Sequence, residues 1–209
     1  SSDVCSSDLL VLKGGTSSER EVSLESGAAV AKALREGGHD VREFDIKEIA
    51  MTSDMKWADV VFPVLHGGFG EDGRIQKFFE DNRIKFVGSG SDACRLLMDK
   101  VASKELMNKY GVPNAKYAVL DKPGSPVPAG MNFPLIVKPP CEGSTVGLSL
   151  VDSRSEWDEA ISLALKYDKA ALVEEYIEGV EATIGILLGK PLPLIELRYP
   201  GKIYDYDAK

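Results

Sequence analysis

Apolar positions along this chain come in short blocks with two different periods. Leu9-Leu10-Val11-Leu12 is a continuous apolar run closed by Gly14-Gly15, which reads as a first buried strand. Ser18 and Glu21 have the S-x-x-E spacing of a capping box, so a helix is expected to start there. Val22, Ser26, Ala29, Val30, Ala33 and Leu34 recur at helical spacing, and Gly37-Gly38 supplies a stop. "DVREFDI" (40–46) reads as a second strand and "ADVVFPVLHGG" (58–68) contains a third. "GRIQKFFEDN" (73–82) follows as a helix with Ile75, Phe78 and Phe79 on one face, then "IKFVGSG" (84–90) as a fourth strand. Strand and helix in alternation imply a parallel sheet with right-handed crossovers. Ligands of such sheets gather beyond the carboxyl ends of the strands. Here those ends carry Gly14-Gly15-Thr16, His66-Gly67-Gly68 and Gly88-Ser89-Gly90.

The texture changes near residue 95. Residues 91–112 read as helical until Pro113 breaks the pattern, and "KYAVL" (116–120) reads as a strand. After a Pro/Gly loop (121–132) come "LIVK" (135–138) and "GLSLV" (147–151) as strands and "SEWDEAISLALKY" (155–167) as a helix. "AALVEEYI" (170–177), "ATIGILL" (182–188) and "PLIELRY" (193–199) read as three more strands. The expected fold class is α/β, a parallel-sheet Rossmann-like domain over 10–95 followed by an incomplete α+β domain over 96–209. "SSDVCSSDL" (1–9) nearly repeats SSD, has no amphipathic period and lacks the layout of a signal peptide. It reads as foreign or artefactual sequence. "KIYDYDAK" (202–209) carries no capping element, so the chain reads as cut within a longer protein.

Composition narrows the functional classes. The 209 residues are 44% hydrophobic and 28% charged, as in a folded globular protein. A net charge of −8 argues against non-specific nucleic-acid binding, which needs clustered cations. No apolar run reaches the roughly 18 residues of a membrane-spanning helix. Cys5, Cys94 and Cys141 are odd in number and far apart, which argues against a disulfide framework or a structural zinc site and for a reducing cytoplasm. His39 and His66 are too few for a histidine-based metal site.

The chemistry concentrates in "FPLIVKPPCEGSTVGLSLV" (133–151), where an apolar strand ends in Lys138. A lysine there can simply snorkel to solvent. The following "EGSTVG" offers backbone N–H groups, two hydroxyls and close-approach glycines, parts suited to cradling a polyphosphate beside a point charge. The spacing is not that of a Walker A loop. Taken singly, the other candidates have plain readings: Glu19 favours a helix dipole, His66 sits in a turn, Lys100 is a solvated helix lysine, and "ALVEEYIEGVEAT" (171–183) is an edge strand.

The ordered set "LKGGTSSEREVSLESG", "LHGGFGEDG", "GSG", "MDK", "VKPPCEGSTVG", "EEYIEGVEAT" and "YDYDAK" closely resembles the D-alanine–D-alanine ligases, ATP-grasp enzymes of peptidoglycan synthesis, from Leu9 to Lys209. The resemblance implies a pre-ATP-grasp domain followed by an ATP-grasp domain whose central subdomain spans about 96–180. It implies ATP-dependent joining of two D-alanines through an acyl phosphate, with Mg²⁺ or Mn²⁺, in the bacterial cytoplasm. Glu19 would hold the ammonium of the first D-alanine, with His66 near its carboxylate. Lys100, Lys138 and Lys209 would contact the ATP phosphates. Ser144, with Thr145 and neighbouring amides, would close over them, and Ser144 would also link Glu19 to a downstream tyrosine. Glu174 would accept from the adenine amino group, the backbone of Glu175, Tyr176 and Ile177 would read the ring edge, and Glu181 would hold the ribose hydroxyls. Tyr204 and Tyr206 read as loop packing.

The metal-binding Asp, Glu and Asn, and the Arg that stabilises the oxyanion, fall beyond residue 209 in this family. The chain as written is therefore expected to bind no metal and to be inactive. The family's homodimer through the amino-terminal domain is also implied. The Phe78–Phe79 helix could supply that surface, and core packing explains it equally well. Three rival readings stand. One is a ligase joining D-alanine to D-lactate or D-serine, and another is a non-catalytic nucleotide-binding module. The last is a D-alanine sensor without ATP, against which Lys100, Lys138 and the hinge count.

Overall fold

The computed structural model describes residues 6–203. Cys5, Tyr204, Tyr206 and Lys209 lie outside them. The chain divides into two compact units, Ser1–Ser103 and Lys104–Lys209.

The first unit is built on a parallel sheet of β1 (Asp8–Gly14), β2 (Asp40–Ile46) and β3 (Val60–Pro63) in the order β2-β1-β3. Leu10 and Leu12 face a core of Ile46, Met55, Val61, Ile75 and Phe79, while Val11 faces Ala31 and Val41. Burial on both faces is why β1 reads as an unbroken apolar run. Asp8 and Leu9 pair with Asp40 and Val41, so the first strand begins inside the segment set aside as foreign.

Helix α1 (Arg20–Glu36) corrects two expectations. Its N-cap is Glu19, with no side-chain capping bond, so the Ser18–Glu21 capping box does not form. Ser17 Oγ accepts from the Glu19 N–H at 3.2 Å just ahead of the helix. The buried face is Ser23, Gly27 and Ala31, whereas Val22, Ala29 and Ala33 are exposed. Small residues win because the helix lies tight on the sheet: a Cβ on Gly27 would stand 2.5 Å from Lys13 Cβ. The C-terminus ends as expected, with Gly38 at φ +88° donating to Arg35 O and His39 donating to Leu34 O.

Helices α2 (Ser53–Trp57) and α3 (Arg74–Asp81) and a single 3₁₀ turn, Gly68–Gly70, complete the sheet's surroundings. The fourth strand does not form: Phe86 makes one parallel bridge to Val61. Positive φ at Arg83 and Gly88 turns the chain away on either side. The helical stretch 91–112 is two helices, α4 (Ser91–Met98) and α5 (Lys100–Lys109). Asp99 breaks it by adopting ψ 102° and capping α5, its Oδ1 accepting from the N–H groups of Val101 and Ala102. Phe78 and Phe79 both pack into the first unit's core.

The second unit holds an antiparallel sheet in the order β4-β7-β5-β6: β4 (Tyr117–Leu120), β5 (Leu135–Lys138), β6 (Ser149–Val151) and β7 (Ala171–Glu175). Helix α6 (Arg154–Tyr167) covers one face with Trp157, Ile161 and Ala164 against Leu135, Val137, Val151 and Val173. The two strands expected over 182–199 are instead four two-residue strands. β8 (Ala182–Thr183) pairs with β11 (Ile195–Glu196), and β9 (Ile186–Leu187) with β10 (Lys190–Pro191). Leu188 at φ +50° and Gly189 at φ +76° make the tight turn that splits them. Among the described residues no helix is long and apolar enough to cross a membrane.

Candidate functional site

Strand alternation decides which side chains of the second unit reach its site. Leu135 and Val137 point into the α6 core, so Ile136 and Lys138 point to the opposite face. On β7, Val173 points inward and Glu174 outward, directly across from Tyr117 and Ile136. That face opens on a cleft of about 510 Å³, within the range of nucleotide-sized pockets. The cleft gathers seven sequence-predicted residues: Lys138, Thr145, Glu174, Glu175, Tyr176, Ile177 and Glu181. Ile136, Leu148 and Val180 give it apolar wall.

Lys138 does not snorkel freely to solvent. Its ammonium pairs with Glu174 Oε2, while Lys104, from α5, pairs with Glu174 Oε1 at 2.6 Å. Glu174 is 7% exposed. Burial pushes its carboxyl upward, but the two ammonium groups outweigh burial and hold it below the ordinary carboxylate range. Lys104 escaped sequence reading because a helix lysine is ordinarily solvated. Its only sequence signal was a position four residues after Lys100 on the same helix.

The loop after β5 is held in an uncommon conformation. Ser144 and Thr145 take φ of 50° and 64°, and Gly147 takes 67°. Two consecutive non-glycine residues in the left-handed region cost of order 1–3 kcal/mol each and collect at ligand clamps. Gly147 is obligatory on packing grounds too: a Cβ there would meet Pro139 and Tyr167 at 2.8 Å. Thr145 lines the cleft directly.

At the far end of the cleft, the Tyr199 hydroxyl donates to Glu181 Oε2 at 2.5 Å. That bond, with desolvation and the nearby charge, pushes the Tyr199 phenol up to about 12. Tyr199 and Lys202 line the cleft and were not anticipated as site residues. Lys202 pairs with Asp152 at 3.0 Å, and its carbonyl accepts from Tyr176 Oη at 3.0 Å. In the hinge, the N–H of Glu175 donates to Lys116 O at 3.0 Å and that of Tyr176 to Pro134 O at 3.4 Å. The two amides nearest the expected ring edge are thus already engaged.

In the first unit, the carboxyl ends of β1 and β3 converge on Glu19 and His66. Ser23 ties these ends together, its Oγ accepting from the Gly14 N–H at 2.8 Å and donating to Val64 O. Ser17 Oγ donates to His66 O at 2.5 Å. Gly67 takes φ 63° and ψ 178°, open only to glycine, and a Cβ there would stand 3.1 Å from Glu19 Oε2. The Glu19 carboxylate therefore lies beside the His66-Gly67 turn rather than capping its own helix. His66 Nδ1 lies 3.8 Å from Glu71 Oε1, and His66 Nε2 is buried without a hydrogen-bond partner among the described residues. A buried ring nitrogen in that condition calls for a polar partner, a water or a ligand group. Lys100, at the head of α5, belongs to this unit, and Ser144 to the other. Among the described residues no group of three or more His, Cys, Asp or Glu is placed to hold a metal ion.

A parallel-sheet unit followed by an antiparallel unit with a lysine-bearing strand and an acidic hinge around one cleft defines an ATP-grasp architecture behind its preceding α/β domain. Family models agree: "D-ala D-ala ligase N-terminus" matches residues 45–89 and "D-ala D-ala ligase C-terminus" residues 106–209. The chain is 40% identical over 202 residues to the D-alanine–D-alanine ligase of Syntrophotalea carbinolica, covering 96% of this chain and 66% of that protein. It is 41% identical over 209 residues to that of Actinobacillus succinogenes, covering 96% and 68%. Among solved structures it matches the D-alanine–D-alanine ligase of Bacillus anthracis with a TM-score of 0.82 at 31% identity, covering 96% and 67% of the two chains. The same ligase complexed with ATP gives 0.81 at 28%, covering 92% and 67%. The VanG D-Ala:D-Ser ligase of Enterococcus faecalis gives 0.79 at 26%, covering 98% and 73%. The chain belongs to the D-alanine–D-alanine ligase family. It spans about two thirds of the length of the curated relatives it matches.

Proposed function

We propose that the natural full-length protein carrying these residues joins two D-alanines at the expense of ATP, for peptidoglycan precursor synthesis in the bacterial cytoplasm. A carboxylate oxygen of the first D-alanine attacks the γ-phosphorus of ATP and ADP leaves. The amine of the second D-alanine then attacks the acyl carbon, phosphate leaves and the amine loses a proton. The observation that carries this reading is the 510 Å³ cleft, which sets an ionised acceptor, a lysine and a strained hydroxyl-bearing loop around one nucleotide-sized volume. Glu174 accepts from the adenine amino group, Glu181 from the ribose hydroxyls, and Lys138 turns from Glu174 toward the phosphates. With the Glu175 and Tyr176 amides engaged, ring reading falls to their carbonyls and to Ile177. Ser144 and Thr145 fold over the phosphates, with Lys100 and Lys209 as further cations. Glu19 takes the ammonium of the first D-alanine, and His66 Nε2 meets its carboxylate.

Mg²⁺ or Mn²⁺ would neutralise phosphate charge when bound, but the described residues offer no ligand cluster for it. A homodimer through the first unit rests on the family alone, since Phe78 and Phe79 are occupied in the core.

The test is ATP-dependent phosphate release by the full-length protein with D-alanine alone, then with D-alanine plus D-lactate or D-serine. Release with D-alanine alone, lost in Glu19→Gln, is the expected result. Release only with a mixed pair makes it a depsipeptide or D-Ala–D-Ser ligase, a reading that the likeness to the VanG enzyme keeps in play. Nucleotide binding without release under any pairing overturns the ligase reading.

A further inference from the structure

Lys104 is the one buried residue of α5, and its side chain is only 9% exposed. Its ammonium has three protons and three acceptors: Glu174 Oε1 at 2.6 Å, Asn114 Oδ1 at 3.2 Å and Ala115 O at 3.1 Å. The Tyr117 ring closes it off, with the nitrogen 5.2 Å from the ring centroid. No donor is left for a ligand. Lys138 holds the other carboxylate oxygen but lines the cleft and is 21% exposed. Two lysines thus share one carboxylate, and only one of them can leave it.

We infer that Lys104 is a positioning residue that fixes Glu174 as an ionised, acceptor-only group, and thereby sets the cleft's preference for a 6-amino over a 6-oxo purine. This rests on the reading of the cleft as an adenine-nucleotide site. When Lys138 turns to a phosphate, Lys104 is the remaining counter-charge on a carboxylate 7% exposed. Without it, burial alone acts on Glu174 and favours the neutral acid. A neutral acid donates as well as accepts, so it pairs with the oxygen of a 6-oxo purine that a carboxylate repels. Lys104 thus acts on base choice through Glu174 and touches no nucleotide itself.

The groups facing Glu174 are Lys104 from α5, Tyr117 from β4 and Lys138 from β5, with Glu175 next in the strand and Glu181, Tyr199 and Lys202 across the cleft. Tyr199 ionises far above the tested range.

The experiment is calorimetric titration of the full-length protein with ADP and with inosine diphosphate between pH 5.5 and 8. Wild type should prefer ADP by about 10- to 100-fold, the worth of a hydrogen bond to a charged acceptor, with a ratio flat in pH. In Lys104→Met the ratio should fall about tenfold or more and fall further as pH drops, while Lys104→Arg restores it. A merely structural lysine would weaken both nucleotides together and leave the ratio unchanged and flat. That result, in a folded Lys104→Met protein, overturns the inference. Should Lys104→Met not fold, Lys104→Gln, which removes the charge but keeps a polar side chain beside Asn114 and Ala115, must shift the ratio in the same direction or the inference fails. Absence of ADP preference in wild type would instead sink the adenine reading of the cleft.

Discussion

Removing the Glu174 charge alone should damage the second unit more than removing the whole ion pair. Glu174→Gln leaves the Lys104 ammonium, 9% exposed at its side chain, without a counter-ion. Stripping one partner from a buried pair costs roughly 3–5 kcal/mol. Here Asn114 Oδ1 and Ala115 O still accept from the ammonium, and Lys138 can reach water through the cleft. The cost should therefore fall near the lower end, about 3 kcal/mol. For a unit of this size that corresponds to a fall of about 12 °C in Tm. Glu174→Leu combined with Lys104→Met removes both charges and should lie within about 1 kcal/mol of wild type, because apolar replacement of a buried pair is close to neutral. Urea unfolding in a Trp57→Phe background, followed by the fluorescence of Trp157, reports on this unit, since Trp157 sits at the centre of its core and Trp57 belongs to the first unit. A Glu174→Gln cost below about 1 kcal/mol, or a double variant as unstable as its single variants summed, would refute the reasoning.

Three further outcomes are expected. The Glu174 carboxyl is held below its ordinary value, so its stabilisation is complete above the unfolded carboxylate range and is lost as pH falls through the lowered folded value. The stability gap between wild type and the Glu174→Leu/Lys104→Met protein should accordingly shift against wild type on acidification, measured by urea midpoints from pH 7 to pH 3. Trp157→Ala empties a fully buried site, breaks the Nε1 donation to Ser125 O at 2.7 Å and loses the edge contact with Phe133, so it should cost about 3–5 kcal/mol in urea unfolding followed by far-ultraviolet circular dichroism. Gly67→Ala places a Cβ against Glu19 at a glycine-only conformation. It should raise the KM for D-alanine at least tenfold, of the order that one strained backbone residue represents, and leave the ADP Kd within a factor of two.

Regular periods made much of the fold legible. The unbroken run of β1, the two-residue alternation of Leu135–Lys138 and the helical spacing of α6 each survive into the structure because tertiary packing asks for what the period offers. Where small residues carry the packing, the apolar count misleads: α1 turns Ser23, Gly27 and Ala31 to the sheet and leaves Val22 in water. The fourth strand and the long carboxy-terminal hairpin failed for another reason. Strand propensity at Phe86 and at Ile184–Leu188 was overruled by left-handed residues that end the ladders early. Site residues were legible mainly through family likeness. Alternation alone explains why Lys138 leaves the core, but no pattern announced that Lys104 meets it on the same carboxylate. A contact between a helix and a strand about 70 residues later has no local signature.

The measurement that tests the ligase claim most directly is the fate of oxygen during one turnover. The full-length protein is given ATP and D-alanine labelled with ¹⁸O in both carboxylate oxygens, and the dipeptide and phosphate are weighed by mass spectrometry. An acyl-phosphate route carries one labelled oxygen into each phosphate released, with D-alanyl-D-alanine formed in equal amount. Unlabelled phosphate, or phosphate without dipeptide, would contradict the account.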